Sequence, residues 1–340
     1  MGVKLHRLYG RCSVGSPPEW SGQSMRILIT DQNFGDDARL ERELAADAGV
    51  ELEVASCRDE EDVAAAIASC GPDALVVQFV PVGPTALADP GSLRAIVRCG
   101  IGVDNIDLAA AAAAGVAVAR VPDYCIDEVA DHTLALVLAV ERGIPALVAD
   151  KSWNFRAGGA LRRLRGRTFG LVGFGQIARA VAARASGFGF RVAAHDPALD
   201  DEVIRAGGAE PRSFEALLRG ADVLSVHVPL TAETRGLIGA RELALLPSGA
   251  VVVNTARGGI VDEAALADAL RSGRLHGAAL DVLTVEPPPA DHPLRGVPEV
   301  LLTPHAAWYS EEAIPELRRK AFEAAVELVS GGKPVGLVTA

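Results

Sequence analysis

Residues 168–196, TFGLVGFGQIARAVAARASGFGFRVAAHD, confine the chain to very few folds. An apolar strand runs without interruption into Gly173-Phe-Gly175-Gln-Ile-Ala178, an amphipathic helix follows, and a second apolar strand ends at Asp196. Gly173 permits a tight turn, Gly175 lets backbone N–H groups approach a pyrophosphate, and Ala178 lets the helix pack close to the strand. The helix N-terminus adds partial positive charge for the phosphates. Asp196, eighteen residues beyond Ala178, stands where an acid can accept from both ribose hydroxyls and repel a 2′-phosphate. The stretch reads as a dinucleotide-binding βαβ unit with NAD preferred to NADP. The competing reading is a strand that ends in glycines for steric reasons, with Asp196 a solvated turn residue.

Short apolar runs alternate with alanine-rich helical segments almost throughout, as in a parallel sheet with helical crossovers. Before residue 122 the pattern predicts strands at 25–30, 50–55, 73–79, 93–98 and 116–119, with helices near 36–48, 59–69 and 107–114. IDEVADHTLALVLAVERGIP then predicts a long helix with Val129, Leu136, Val137 and Val140 on one face, stopped by Gly143 and Pro145. An Arg-rich connection, Lys151 to Arg167, follows, and Arg162, Arg163, Arg165 and Arg167 read as a solvated linker face. A second series predicts strands at 168–172, 190–194, 222–228, 250–254, 276–281 and 298–302, and 310–330 is helical again. The fold class is therefore α/β, with two Rossmann-like or flavodoxin-like parallel-sheet domains and a cleft between them. The expected division is an N-terminal extension 1–24, a discontinuous substrate domain 25–122 plus 307–340, and an NAD-binding domain 123–306.

Composition removes several alternatives. The 33 basic and 44 acidic residues leave a net charge of −11, which argues against a nucleic-acid binder. The longest apolar run, Leu108 to Ala119, is mostly alanine and too short to span a bilayer. Residues 1–24 lack the continuous apolar core of a secretion signal. Cys12, Cys57, Cys70, Cys99 and Cys125 are odd in number, widely spaced and without a C-x-x-C, so no disulfide framework or metal site is expected and a reducing cytoplasm is.

In a parallel sheet every strand's C-terminal end lies on one edge, where ligands sit. Just past the expected strand ends stand the glycine turn, Asp196, His227 with Pro229, Arg257 in NTARGG, Asp281 with Glu286 in DVLTVEPPP, and His305 in LLTPHAAWYS. The planar fork of Arg257 matches a carboxylate. Glu286 can accept from one nitrogen of His305, orienting it and favouring its protonated form. His305 can then donate a proton to an oxygen that turns negative as hydride arrives, with Arg257 stabilising that charge. Bland alternatives stand beside each: a surface ion pair for Arg257, a solvated loop for Glu286, a helix cap for His305. In the first half, strand 73–79 runs into a loop carrying Phe79, and strand 93–98 runs into RCGIGVDNID. There Ile101 and Gly102 expose amides able to hold a carboxylate, and Arg98 either reaches the ligand or braces the loop.

VRCGIGVDNID, VPDYCIDEVADHTLALVLA, GLVGFGQIARA, VNTARGGIVDEAAL, GAALDVLTVEPP and TPHAAWYS together resemble the D-isomer-specific 2-hydroxyacid dehydrogenases, most of all their C-terminal-binding-protein-like branch. The resemblance covers nearly everything from Met25 onward. It implies an NAD domain inserted into a substrate domain, a catalytic set matching Arg257, Glu286 and His305, and a homodimer through the NAD domains. Thr133 matches a cofactor contact on the linking helix, Gln176 and Ile177 match pyrophosphate contacts, and Thr255, Ala256 and Asp281 match positions at the nicotinamide end. Val228, Thr234 and Ala307 complete the implied NAD site alongside Gly173, Gly175, Asp196, His227, Pro229 and His305. Trp308 either packs against a substrate side chain or is a core aromatic at a hinge.

The leading expectation is an NAD-dependent oxidoreductase interconverting a 2-oxo acid and its D-2-hydroxy acid. The alternatives are an NAD(H)-sensing, corepressor-like interaction protein and a phosphite- or phosphonate-type dehydrogenase on the same scaffold.

Overall fold

The computed structural model describes residues 24–31, 34–35 and 37–338. The expected N-terminal extension, Ser24 excepted, lies outside the described residues. The chain divides into two compact units, one running to Pro122 and resuming at Pro315, the other spanning Asp123–Ile314. In chain order the strands are β1 Arg26–Ile29, β2 Glu51–Val54, β3 Ala74–Val77, β4 Ala95–Arg98, β5 Ala117–Arg120, β6 Thr168–Val172, β7 Arg191–His195, β8 Glu210–Pro211, β9 Val223–Val226, β10 Ala250–Asn254, β11 Leu275–Leu280, β12 Val300–Leu302 and β13 Leu337–Val338.

The first unit holds a six-stranded sheet in the order β13-β5-β4-β3-β1-β2, parallel except for β13, which runs antiparallel on β5. Central β3 (ALVV) is buried throughout, whereas edge strand β2 (ELEV) alternates exposed and half-buried residues, as one covered face dictates. Near the C-terminus, the Arg318 guanidinium of helix Ala313–Val329 pairs with Glu41 of helix Arg39–Ala48, Nε to Oε1 at 2.7 Å. Both side chains are buried, and Arg318 also lies over the Phe34 ring. Deleting one partner would strand a buried charge, so this pair locks the returning chain onto the first unit.

The second unit holds a seven-stranded sheet, β12-β11-β10-β9-β6-β7-β8, with every pairing parallel. Strands β6, β9 and β10 are buried at every position because helices cover both faces, forming two apolar clusters. β6 pairs with β7 on one side and β9 on the other, so chain order reverses at β6. That reversal opens a crevice at the strands' C-terminal edge, where ligands bind in open α/β sheets.

Every expected strand overlaps an observed one. Two-residue β8 and β13 carry no periodic signal and were not expected. Pro145 does not stop the long helix, which ends at Glu141; it sits in the first turn of the next helix, Ile144–Ala149, where its missing N–H costs nothing. Arg167 is not part of a solvated face either. Its guanidinium pairs with buried Glu141 and lies 3.6 Å from Asp222 Oδ1, whereas Arg162, Arg163 and Arg165 are exposed. No described helix is long and apolar enough to cross a membrane.

Candidate active site

The glycine turn follows β6 at the reversal point. Gly173 has φ 89°, and a Cβ there would lie 2.8 Å from the His227 carbonyl oxygen and 2.9 Å from Val228 Cγ1, so both backbone and space demand glycine. Gly175 is different: a Cβ there would meet no described atom within 4 Å. It precedes helix Gln176–Gly187 with no side chain capping the first amides, beside exposed Gln176 and half-buried Ile177, while Ala178 is fully buried against the sheet. Open space, uncapped amides and a helix's positive end at one point fit a pyrophosphate.

Asp196 stands beside this turn. Its Oδ2 accepts from the Phe174 amide at 2.8 Å and its Oδ1 from Ala198 at 3.0 Å. Each oxygen keeps a second lone pair for a ribose hydroxyl. The His227 ring turns away, with Nε2 2.8 Å from buried Ser225 Oγ, and burial pushes its pKa down to about 4. It is the His227 backbone, with the Val228 side chain, that lines the turn. Thr234 Oγ1 donates to the Pro229 carbonyl at 2.6 Å, closing the loop beyond it.

Arg257 follows β10 on a turn braced by buried Asn254, whose Nδ2 donates to the Arg257 carbonyl at 2.8 Å and whose Oδ1 accepts from Ala256 at 3.0 Å. Glu286 accepts from the Leu283 amide at 2.8 Å on Oε1, and its Oε2 lies 2.8 Å from His305 Nδ1. Burial works to raise the Glu286 carboxyl. The hydrogen bonds from His305 and Leu283, with the charges of His305 and Arg257, outweigh it and hold the carboxyl below the usual glutamate value. A carboxylate only accepts, so Nδ1 carries a proton and Nε2 is the ring atom left for a ligand.

His305 has φ 52°, a left-handed conformation rare outside glycine. Asp281, 2% exposed, holds it there. The Asp281 carbonyl accepts from the His305 amide at 2.8 Å, and its carboxylate accepts from Thr303 Oγ1 at 2.6 Å and from the Ala306 and Ala307 amides at 2.9 Å each. His132, on the long helix, lies 3.1 Å from Thr303 Oγ1 through Nε2. Asp281 thus works first as the anchor of the histidine loop, a task its residue type alone did not indicate.

Thr133 is fully buried, with its hydroxyl bonded to the Val129 carbonyl at 2.7 Å and 2.8 Å from Thr255 Oγ1, so it positions Thr255. Half-buried Trp308 packs at a tilt on buried Tyr124 with centroids 6.3 Å apart, and edge-on to Tyr309. In the first unit, Arg98 donates to the Cys99 carbonyl at 3.0 Å and lies 6.0 Å from the ring centre of exposed Phe79. Its guanidinium fills the space a side chain at Gly100 would need, which favours the bracing role. Ile101 and Gly102 are half-buried just beyond β4. Asn254, Glu263, His292, Thr303 and His132, none of them singled out in the sequence, tie down the loops that carry Arg257, Glu286 and His305. For Asn254 and Thr303 the available signal was a polar residue at a strand end; the helical His132 and Glu263 and the loop residue His292 carried none.

A family model for the "D-isomer specific 2-hydroxyacid dehydrogenase, NAD binding domain" matches residues 134–307. The chain is 40% identical over 243 residues to the D-3-phosphoglycerate dehydrogenase of Bacillus subtilis (strain 168), covering 71% of this chain and 46% of that one. It spans about half the length of the curated relatives it matches. Among solved structures it is similar to a glyoxylate reductase from Paecilomyes thermophila (29% identity, TM-score 0.83, covering 93% of this chain and 98% of that one). It is also similar to an acyclic imino acid reductase in complex with NADPH and D-Arg (27% identity, TM-score 0.82, 93% and 100%). With its glycine turn at the reversal point of a parallel sheet and its strand ends carrying Arg257, Glu286 and His305, the chain belongs to the D-isomer-specific 2-hydroxyacid dehydrogenase family.

Proposed function

We propose that the chain is an NAD-dependent oxidoreductase interconverting a 2-oxo acid and its D-2-hydroxy acid. The observation that carries this reading is the 2.8 Å contact between Glu286 and His305 Nδ1, beside the cation of Arg257. A nicotinamide dinucleotide held by the glycine turn would supply the hydride in reduction and accept it in oxidation. Glu286 fixes the imidazole so that Nε2 donates a proton to the carbonyl oxygen in reduction and takes it back in oxidation. Arg257 binds the carboxylate or oxo group and stabilises negative charge on the reacting oxygen. Asp196 accepts from the ribose and disfavours a 2′-phosphate, although the imino acid reductase relative was solved with NADPH.

The test is a panel containing D-3-phosphoglycerate with NAD, and glyoxylate, pyruvate and larger 2-oxo acids with NADH, followed at the NADH absorbance. At least one substrate should turn over. His305→Ala should cut that rate about 100- to 10,000-fold with NADH binding intact, and undiminished turnover would remove the mechanism. A pull-down with and without NADH separates the sensing alternative, which expects partners to change with cofactor, and phosphite in the same panel separates the remaining enzyme reading.

The same reading includes a homodimer through the second unit. Its support is the segment 144–155, where Val148, Trp153 and Phe155 stand open, Trp153 at 99% exposure. Apolar side chains displayed this densely mark an association surface. Light scattering should report a dimer for the parent chain and a monomer for Val148→Asp combined with Trp153→Asp; a monomeric parent would refute it.

A further inference from the structure

We propose that Glu263 and His292 are positioning residues that hold the turn presenting Glu286 to His305. Glu263 is the first residue of helix Glu263–Arg271, a platform capped by Asp262, whose Oδ1 accepts from the Ala264 and Ala265 amides at 3.0 Å. From this fixed point its Oε1 accepts from the Thr284 amide at 2.7 Å and from Thr284 Oγ1 at 2.8 Å. Its Oε2 lies 2.8 Å from His292 Nε2. Both side chains are largely buried, at 11% and 5% exposure.

The imidazole is set from its other side. The Leu294 amide donates to His292 Nδ1 at 3.3 Å, so Nδ1 accepts and Nε2 carries the proton that goes to Glu263. His292 therefore clips the far end of the loop, 283–294, to the same carboxylate that grips its near end at Thr284. Between these two holds lies Glu286, whose Oε1 takes the Leu283 amide and whose Oε2 faces His305. Released at Glu263, the turn loses both anchors at once, because one carboxylate serves both. Neither residue touches the reacting groups; they act through Glu286.

The kinetic arm of the test rests on the oxidoreductase reading, whereas a spectroscopic arm does not. In the full chain with NADH bound, the Nδ1 nitrogen signal of His305 reports its hydrogen bond to a carboxylate and is assigned by its loss in His305→Gln. Glu263→Ala should lose that signature and lower kcat about 10- to 100-fold, the scale of an ångström-level misplacement, with NADH affinity unchanged. His292→Gln, which still donates to Glu263, should keep both. Thr284→Val removes only one hydroxyl bond from an exposed residue and should give an intermediate loss; it decides the question if Glu263→Ala does not fold. A folded Glu263→Ala or Thr284→Val with an unchanged His305 signature overturns the proposal, whatever its rate. A parent chain that reduces no substrate refutes the oxidoreductase reading instead and leaves the spectroscopic outcome to stand by itself.

Discussion

Gly258→Ala is the sharpest available perturbation of the proposed Arg257–Glu286–His305 set because it adds one methyl between the turns of two of its members. A Cβ at Gly258 would lie 2.0 Å from the Leu283 carbonyl carbon, 2.1 Å from its oxygen and 2.4 Å from the Thr284 nitrogen. Those are backbone atoms, which cannot swing aside as a side-chain tip can. Ordinary contact begins near 3.4 Å, so the Arg257 turn and the Glu286 turn must separate by about 1.4 Å. The Glu286–His305 contact of 2.8 Å cannot absorb that and remain a hydrogen bond, since such bonds fade beyond about 3.5 Å. A misplacement of roughly 1 Å costs on the order of 100-fold in rate, and crowding a packed site costs about 1–3 kcal/mol. In a unit of this size each kcal/mol is worth about 2–4 °C in Tm. Stopped-flow or steady-state NADH oxidation gives kcat, NADH fluorescence gives binding, and a thermal melt gives stability. The expected pattern is a roughly 100-fold fall in kcat, a melt lowered by several degrees, and cofactor binding within about twofold. A variant within about threefold of the parent kcat would show that the two turns are not braced through Gly258.

Asp281→Ala should leave the Ala306 and Ala307 amides without their acceptor and free His305 from its left-handed conformation. At about 1–3 kcal/mol per orphaned group the chain should lose several kcal/mol in denaturant melts, with kcat falling more than NADH affinity; a loss confined to NADH affinity would instead make Asp281 a cofactor contact alone. Asp196→Ser should move the preference toward NADPH by about five- to tenfold, since one charge repulsion near 4 Å in water is worth about 1 kcal/mol; an unchanged ratio of NADH to NADPH kcat/KM would refute the ribose assignment. Glu286 also sets a pH signature. Its carboxyl is held below its unfolded value, so its contribution to stability is complete above that value, near pH 4.5, and is lost as pH falls through the lower folded one. The Tm difference between the parent and Glu286→Gln should accordingly be flat above about pH 5 and shrink below it; a difference that grows toward acid would contradict the direction of that shift.

What could be read without coordinates was whatever local chemistry writes into a short window. The continuous apolar runs of RILIT and ALVV, the helical stripe of Val129, Leu136 and Val137, and the strand–glycine–helix run at 168–187 each depend on neighbours a few positions apart. The parallel-sheet rule then carried Arg257, Glu286 and His305 to a common edge as residue types. The rule gives an edge and no distances, and it is the 2.8 Å contact that turns a shared edge into a candidate acid with its orienting carboxylate.

Sequence by itself determined the α/β class, nearly all the strands and the glycine turn, because hydrophobic periodicity and glycine's freedom are local properties. Only the tertiary structure decided that Arg167 belongs with buried Glu141, that Thr133 serves Thr255, that Asp281 holds His305 at positive φ, and that Glu263 and His292 share the task of seating Glu286. Each of these joins groups far apart along the chain, from 21 residues (Thr284 to Glu263) to 122 (Thr133 to Thr255). Which partner a buried polar group finds is settled by the packing that desolvates it, and no window of sequence contains that packing.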